Sequence, residues 1–152
     1  MVQDLPDAVA GGAESLPAPL ATRIQFQAHD MFSTNPVSGA DVYYLRHILH
    51  DWPDSHAVLI LQALVPALKH GSRILVSDSV IPSPGVLNKQ DEKFVRYLDM
   101  QMMVLHNARE RSEEDFKHLF EQADPRLRFQ RVWRKGESFA ASTILEARFE
   151  EA

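Results

Sequence analysis

The sequence predicts one α/β domain whose mainly parallel sheet ends in an antiparallel strand. Residues 73–78 are nearly all apolar, which is typical of a parallel strand covered by helices on both faces. Residues 54–69 carry apolar side chains at helical spacing directly before that strand. The last two strand-like segments, 127–134 and 139–149, flank a turn at residues 135–137, which predicts an antiparallel pair. Alternating helices and strands with a final hairpin indicate this fold class.

Composition excludes several classes of protein. The 152 residues are enough for one domain with a core, and 45% hydrophobic and 24% charged residues are ordinary for a globular protein. The net charge of −5 argues against nucleic-acid binding, which needs a concentrated basic face. No apolar run is long enough to predict a membrane span. The lack of cysteine and of a basic-then-apolar start predicts a cytoplasmic protein without disulfides.

The first third of the chain is predicted to hold three strands and one short helix. Residues 2–5 form the end of a strand that a proline stops, and residues 7–15 form a frayed helix because they contain two glycines. Residues 23–28 alternate apolar and polar side chains, as a half-buried strand does. Residues 42–45 form the next strand.

Helices and strands are predicted to alternate along the middle of the chain. Asp54 is the expected N-cap of a helix over residues 54–69, and Gly71 is the left-handed residue expected to end it. The apolar strand 73–78 follows, and a second long helix covers residues 89–105.

The last third begins with a helix and ends with the hairpin. The residues from Ser112 to Asp115 have the pattern of a capping sequence, and they predict a helix that runs through residue 122. No internal repeat, low-complexity tract or linker interrupts the chain, so we expect one domain over residues 1–152.

The most informative segment is residues 46–54, with the sequence RHILHDWPD, directly after the strand 42–45. Open α/β sheets bind ligands at the carboxyl ends of their strands, so His50 is a candidate proton acceptor there. Asp78 ends the next predicted strand and is expected at the same edge. A carboxylate on the second ring nitrogen would fix the tautomer of His50 and strengthen it as a base.

Two motifs carry a resemblance to a known family. The triplet His50-Asp51-Trp52 resembles the "HDW" motif of class I S-adenosylmethionine-dependent O-methyltransferases, in the branch that methylates plant phenylpropanoids and fungal or bacterial polyketides. Residues 107–112, NARERS, resemble the "NGKERT" signature of that family and contain Glu110. The separations between His50, Asp78 and Glu110 agree with the family's register. By itself His50 would more often be a structural histidine, but the three residues in register favour the family role.

The resemblance implies a fold, a reaction and a catalytic set. It implies a Rossmann-like methyltransferase sheet and transfer of a methyl group from S-adenosylmethionine to a hydroxyl of a small phenolic or polyketide-like molecule of secondary metabolism. His50 would be the general base, and Asp78 and Glu110 would orient it. Plant members mostly carry Glu where this chain has Asp78, so the shorter side chain would hold the imidazole less directly.

The resemblance also implies contacts to S-adenosylmethionine. Asp4, in a "DLP" strand end, would bind the ribose hydroxyls, although it could instead cap the helix that follows. Asp30 and Met31 lie in a segment that resembles the "GDMF" motif, with a histidine in place of glycine, and would contact the adenine. Arg46 would lie near the carboxylate of the cofactor or would be a surface arginine.

The substrate pocket is predicted from the helix that ends in the second motif. Residues 99–107 resemble the helix that lines the family's phenol site, which implies Met103 and Asn107 as pocket residues. A methionine-rich helix face could equally be plain core. Trp52 is expected to pack under its loop.

No metal site is predicted. His47 and His50 are three residues apart, and on a strand such residues face opposite sides of the sheet. The other histidines lack the spacing of metal ligands.

Two parts of the full family are not found in this sequence. They are the N-terminal helical dimerisation domain and the first strand with its glycine-rich cofactor loop, which would lie between the strands ending at Asp4 and at residue 45. Three interpretations follow: a fragment or shortened form of an O-methyltransferase, a working enzyme whose missing strand and loop come from another chain or whose sheet closes differently, or an inactive remnant that acts as a binding or assembly module. We favour the first. The resemblance also implies that the full-length protein can form a homodimer.

Overall fold

The computed structural model describes residues 1–134 and 143–151. The α-helices are α1 (Pro6–Val9), α2 (Asp54–Leu64), α3 (Lys89–His106) and α4 (Glu113–Ala123). The strands are β1 (Val2–Asp4), β2 (Phe26–Ala28), β3 (Val42–Arg46), β4 (Arg73–Ser77), β5 (Val80–Ile81), β6 (Arg111–Ser112), β7 (Leu127–Trp133) and β8 (Ile144–Phe149). Three-residue 3₁₀ turns occur at Ala18–Leu20, Leu49–Asp51 and Val65–Ala67.

The main sheet has four strands in the order β3-β4-β8-β7. Strands β3 and β4 are parallel, with Val42 opposite Arg73 and Arg46 opposite Ser77. Strand β8 runs antiparallel to both β4 and β7. The predicted parallel pair, the helix between its strands and the antiparallel end of the sheet are therefore confirmed. The predicted turn at residues 135–137 and the start of the last strand at residues 139–142 lie outside the described residues.

Strands β1 and β2 form a separate parallel pair. In the described ranges no strand joins β1 to β3. One contact between β1 and the rest of the fold is polar: the amide of Gln3 exchanges hydrogen bonds with the side chain of Asn35, whose backbone N–H donates to the carbonyl of Ala63 in α2. Met31 and Phe32, which follow β2, pack against the core. Apolar side chains of β1 and β3, such as Val2 and Tyr44, remain exposed.

The core lies between the main sheet and two helices, α2 and α4. Their inward faces are apolar because the buried residues recur at helical spacing, as predicted for α2. The helix α4 begins with the predicted capping box, in which Ser112 and Asp115 satisfy each other's backbone N–H groups. The fully buried core side chains include Leu49, Ile60, Leu61, Ile74, Val76, Phe116, Phe120, Leu127 and Leu145.

Several predicted boundaries were wrong for identifiable reasons. The helix α2 ends at Leu64 instead of residue 69, because Pro66 lacks an amide hydrogen and its ring clashes with the preceding turn. Asp54 is the first helical residue and Pro53 the N-cap, since the Asp54 carboxylate binds arginines instead. The first helix has four residues instead of nine, and the second strand is three residues long.

Gly71 has a left-handed φ of 84°. It does not end the helix as predicted, because α2 stops at Leu64 and the 3₁₀ turn Val65–Ala67 follows. Gly71 instead lies in the turn that leads into β4. In the part of the chain that the structure describes, no helix is both long enough and apolar enough to cross a membrane.

Phe120 tests the core. We expect Phe120→Ala to lower the free energy of unfolding by about 3–5 kcal/mol, because the removed ring is fully buried and packs near Phe129. Phe94→Ala is the matched control, since the Phe94 ring is half exposed and should cost under about 1 kcal/mol. Urea denaturation of both variants measures the difference, and equal losses would contradict the described core.

Candidate active site

The turn that follows β3 carries His50 at the carboxyl edge of the main sheet. The strand ends at Arg46, and His47 has a left-handed φ of 51° while its N–H donates to the carbonyl of Ser77 at 3.1 Å. The 3₁₀ turn Leu49–Asp51 then buries the Leu49 side chain completely and leaves His50 half buried. The apolar anchor thus fixes the position of the neighbouring imidazole.

His50 and Glu110 form a direct pair. Their Nδ1 and Oε1 atoms are 3.2 Å apart, and Glu110 is only 3% exposed. The N–H of Glu110 donates to Asp99 Oδ1 at 3.0 Å, which ties the end of this segment to α3. The sequence-predicted neighbours His50 and Glu110 are therefore brought together across 60 residues of chain.

The surroundings of His50 favour its protonated form. The hydrogen bond to Glu110 raises the pKa of His50 above its ordinary value, and this effect outweighs burial, which lowers it. The negative charges of Asp78, Glu110 and Asp51 raise the pKa further. An imidazole in this setting accepts a proton more readily than one in water.

Asp78 lies beside His50 without a hydrogen bond to its ring. It is 1% exposed, and within the described residues neither carboxylate oxygen has a hydrogen-bond partner. Burial raises the pKa of Asp78, and repulsion from Glu110 adds to that, against the opposite effect of His50. The shorter acid therefore acts on the imidazole through its charge, in line with the indirect contact expected from the sequence.

Arg111 holds the His50 turn in place and was missed by the sequence reasoning. Its side chain is fully buried and donates from Nη1 to the carbonyl of Leu49 at 2.6 Å and from Nη2 to that of Trp52 at 2.7 Å. Its Nε donates to Asp54 Oδ1 at 2.8 Å. The guanidinium thus bonds both ends of the turn that presents His50.

Asp54 also accepts a hydrogen bond from a second, partly exposed arginine, Arg109. The Nη2 atom of Arg109 lies 2.9 Å from Asp54 Oδ2 and 3.0 Å from Asp115 Oδ1. Burial alone would raise the pKa of Asp54, but the hydrogen bonds from Arg109 and Arg111 outweigh it and hold the pKa below its usual range. The start of α2 is therefore joined to both β6 and α4.

An open cavity of about 660 Å³ lies beside the His50 turn. Trp52 packs edge-to-face on Phe32 with ring centroids 4.8 Å apart, so its indole both supports the loop, as expected, and forms a wall of the cavity. Such a lining of apolar and aromatic groups with a few polar ones suits a small organic molecule. The cavity is lined by Met31, Ile48, Asp51, Trp52, Pro53, His56, Leu105 and His106.

Asp51 lines this cavity and lies close to the imidazoles of two histidines. Its Oδ1 atom lies 3.5 Å from Nε2 of His50 and 3.5 Å from Nε2 of His106, at the end of α3. No sequence pattern selects Asp51 for this role, because its partner His106 lies 55 residues away on another element.

The predicted cofactor residues lie at or beside the cavity and at the ends of β1 and β3. Met31 lines the cavity, and Asp30 is exposed beside it, with Oδ1 accepting from the N–H of Phe32 at 3.0 Å. Asp4 is exposed at the end of β1, where Oδ1 accepts from the N–H of Leu5 at 2.8 Å, so it does not cap α1 as the alternative proposed. Arg46 is exposed at the carboxyl end of β3.

The predicted pocket residues on α3 are not in the cavity. Met103 is 58% exposed and belongs to neither described depression. Asn107 ends α3 with a left-handed φ of 51° and lines a smaller depression of about 210 Å³ beside Arg109. Leu105 and His106 line the cavity in their place, because the last turn of α3 faces the His50 turn.

The reason given for excluding a metal was wrong. His47 and His50 do not face opposite sides of a strand, because β3 ends at Arg46 and the chain then turns. Their rings lie 5.3 Å apart, on the same edge of the sheet as Asp78.

Comparison with known proteins places these features in one family. Residues 1–124 match the sequence profile of the O-methyltransferase domain. An O-methyltransferase of Aspergillus violaceofuscus is 50% identical over 128 residues, which cover 84% of this chain and 30% of that protein. A chlorophenol O-methyltransferase of Trichoderma longibrachiatum is 46% identical over 140 residues, covering 88% of this chain and 29% of that protein. The chain therefore spans about 30% of the length of these relatives.

A solved structure resembles the whole fold. The structure of OxaC in complex with SAH and oxaline superposes with a TM-score of 0.80 and 32% sequence identity, over 98% of this chain and 35% of that one. The Rossmann-like arrangement inferred from the sequence is confirmed by this similarity.

Arg111 tests how the turn is held. We expect Arg111→Met to lower the free energy of unfolding by about 3–5 kcal/mol, because it removes a fully buried charge-assisted donor to the Leu49 and Trp52 carbonyls and to Asp54 Oδ1. Arg109→Met removes an arginine that is half exposed and should cost about 0–1 kcal/mol. Urea denaturation compares the two, and similar losses would show that burial of Arg111 is not decisive.

The lowered pKa of Asp54 predicts that the free energy of unfolding depends on pH. The folded-state pKa of Asp54 lies below its ordinary value of 3.8, so its ionised form stabilises the fold above that pH, and the contribution disappears as the pH falls through the folded-state pKa. Asp54→Asn should therefore lower the free energy of unfolding near neutral pH and have a shrinking effect below about pH 4. Urea denaturation at several pH values measures this, and a loss independent of pH would contradict it.

Proposed function

The chain belongs to the O-methyltransferase domain family, and we propose that it carries the proton-accepting part of an S-adenosylmethionine-dependent O-methyltransferase site. The observation that carries this proposal is the His50–Glu110 pair at the carboxyl edge of the sheet, with Asp78 buried beside it. The names of the relatives support the reaction class.

His50 is the proposed general base. It takes the proton of the acceptor hydroxyl as that oxygen forms its bond to the methyl carbon, and the imidazolium that results lies between negative charges. Glu110 holds Nδ1 and so fixes the ring orientation and the tautomer with Nε2 available. Asp78 stabilises the imidazolium through space, because its buried charge has no competing partner among the described residues.

The methyl donor is proposed to be S-adenosylmethionine, whose sulfonium supplies an electrophilic methyl group when it is bound. The residues proposed to hold it are Asp4, Asp30, Met31 and Arg46. Asp4 keeps one carboxylate oxygen open for ribose hydroxyls, and Met31 with Trp52 offers an apolar wall for a flat base. These side chains fit the chemistry of the group.

The acceptor is proposed to be a phenolic or polyketide-like hydroxyl compound of secondary metabolism. The Trichoderma relative is named a chlorophenol O-methyltransferase, which supports a phenol as the acceptor. Leu105 and His106 are stronger candidates for the pocket wall than Met103 and Asn107, because they line the cavity while Asn107 lines the smaller depression beside Arg109.

We further propose that residues 1–152 are the C-terminal portion of a catalytic domain, and that a strand and glycine-rich loop from elsewhere complete the sheet between β1 and β3. The separate sheet that β1 and β2 form, together with the exposed apolar side chains of β1 and β3, supports this. Completion by a partner chain, a homodimer included, remains an alternative. So does an inactive remnant that acts as an assembly module. A cytoplasmic location stays a prediction from the composition.

Calorimetry with S-adenosylhomocysteine separates these alternatives. We expect weak or no binding by residues 1–152 alone, and micromolar binding by a chimera in which the preceding region of the Aspergillus relative is fused in front of them. Binding by neither protein would favour the assembly module, and micromolar binding by the chain alone would contradict the need for completion.

The same chimera tests His50. We expect His50→Gln to lower the turnover of a chlorophenol by roughly 10²–10⁴-fold, as is typical when a general base is lost. His118→Gln, which changes an exposed histidine on α4, is the control and should retain full turnover. Full activity of the His50 variant would remove it as the base.

A further inference from the structure

Three side chains with metal-binding atoms meet at the carboxyl edge of the main sheet. They are His47 and His50 from the turn after β3 and Asp78 from the end of β4. One ligand atom from each lies within 4.8 Å of the other two. We call these residues the His-His-Asp cluster.

Asp78 points to a missing partner in this cluster. Its carboxylate is 1% exposed, and within residues 1–134 and 143–151 no donor reaches either oxygen with good hydrogen-bond geometry, although the backbone of His50 approaches it. A buried polar group without a partner is costly, and such groups are rare in native structures. One of these oxygens lies within 4.8 Å of a ring nitrogen of each imidazole.

The chemistry of the cluster matches a divalent transition metal. Zn²⁺ takes imidazole nitrogen and carboxylate oxygen at about 2.0–2.2 Å, with three protein ligands and one open position at many sites. Ligand atoms at such distances lie about 3.4 Å apart, so the cluster has to contract. His47 can supply that movement because its side chain is exposed, whereas Asp78 is fixed by burial.

The neighbouring charges favour a dication. Glu110, whose Oε1 bonds His50, is itself buried and keeps Oε2 without a partner among the described residues. Asp51 adds a third carboxylate 3.5 Å from the His50 ring. Arg46, the adjacent cation, is exposed to solvent at the strand end.

We propose that the His-His-Asp cluster binds a divalent transition-metal ion of the Zn²⁺ type, and that the bound ion inhibits the protein because it occupies His50. The binding stands on the cluster itself. The inhibition rests on the proposed function, since a metal-bound imidazole nitrogen cannot accept a proton from a hydroxyl. Hard cations such as Mg²⁺ prefer sites made of oxygen alone and are not expected to bind.

Calorimetry of residues 1–152 with Zn²⁺ tests the binding without any need for activity. We expect one ion per chain, and a dissociation constant at least tenfold higher for both His47→Ala and Asp78→Asn. The exposed His47 can be changed with little risk to the fold, so its variant remains informative if the Asp78 variant unfolds. Mg²⁺ should give no heat of binding.

The control is His118→Ala, which removes an exposed histidine that lies 3.7 Å from Glu114 on the same helix. It should bind Zn²⁺ as the unsubstituted chain does. Loss of binding in this variant together with unchanged binding in His47→Ala would mean that zinc binds only at surface histidines, and would overturn the proposal. Absence of Zn²⁺ binding to the unsubstituted chain would overturn it as well.

The active chimera tests the inhibition. Zn²⁺ should inhibit methyl transfer, and His47→Ala should raise the concentration for half-inhibition at least tenfold. If Zn²⁺ binds the cluster in calorimetry while the chimera shows no transfer at all, the proposed function fails and the metal site stands. If Zn²⁺ binds the cluster but transfer is unaffected, the inhibitory role is wrong.

Discussion

The buried guanidinium of Arg111 is the interaction on which the rest of the site depends. It comes from β6 and bonds the carbonyls of Leu49 and Trp52, which lie on either side of His50. Backbone carbonyls in a turn have no ladder partners, so a buried turn needs donors from elsewhere. Arg111 supplies two of them and pairs its charge with Asp54 at the start of α2. The Arg111 side chain thus joins the His50 turn, the helix α2 and the segment that carries Glu110.

This arrangement couples the position of the imidazole to that of its acid. Glu110 immediately precedes Arg111 in the chain, so the residue that fixes the turn also brings the carboxylate to 3.2 Å from His50. The capping box at Ser112 and Asp115 continues the same segment into α4, whose apolar face is in the core. Packing of that helix therefore limits the movement of the His50–Glu110 pair.

This geometry places buried negative charge at the edge of the sheet, which is energetically unfavourable. Asp78 and Glu110 are both buried beside His50, and burial raises the pKa of Asp78 while the carboxylates raise that of His50. Buried acids near one imidazole are hard to justify by stability alone, since uncompensated charge in the interior is unfavourable. The same concentration of negative charge favours a protonated imidazole or a bound dication.

Four features could be predicted from the sequence alone: the family, the parallel pair with its connecting helix, the antiparallel end of the sheet and the proximity of His50 to Glu110. Those features follow from local signals, namely apolar periodicity, a capping box and two motifs in register. Tertiary structure alone decided the contacts of Arg111, the bridge from Asp51 to His106 and the meeting of His47 with Asp78. Carbonyl acceptors have no signature in a sequence, and the side that a histidine faces after a strand depends on how the chain turns there. Both depend on how distant segments pack, which is why the sequence located the base and the fold determined what surrounds it.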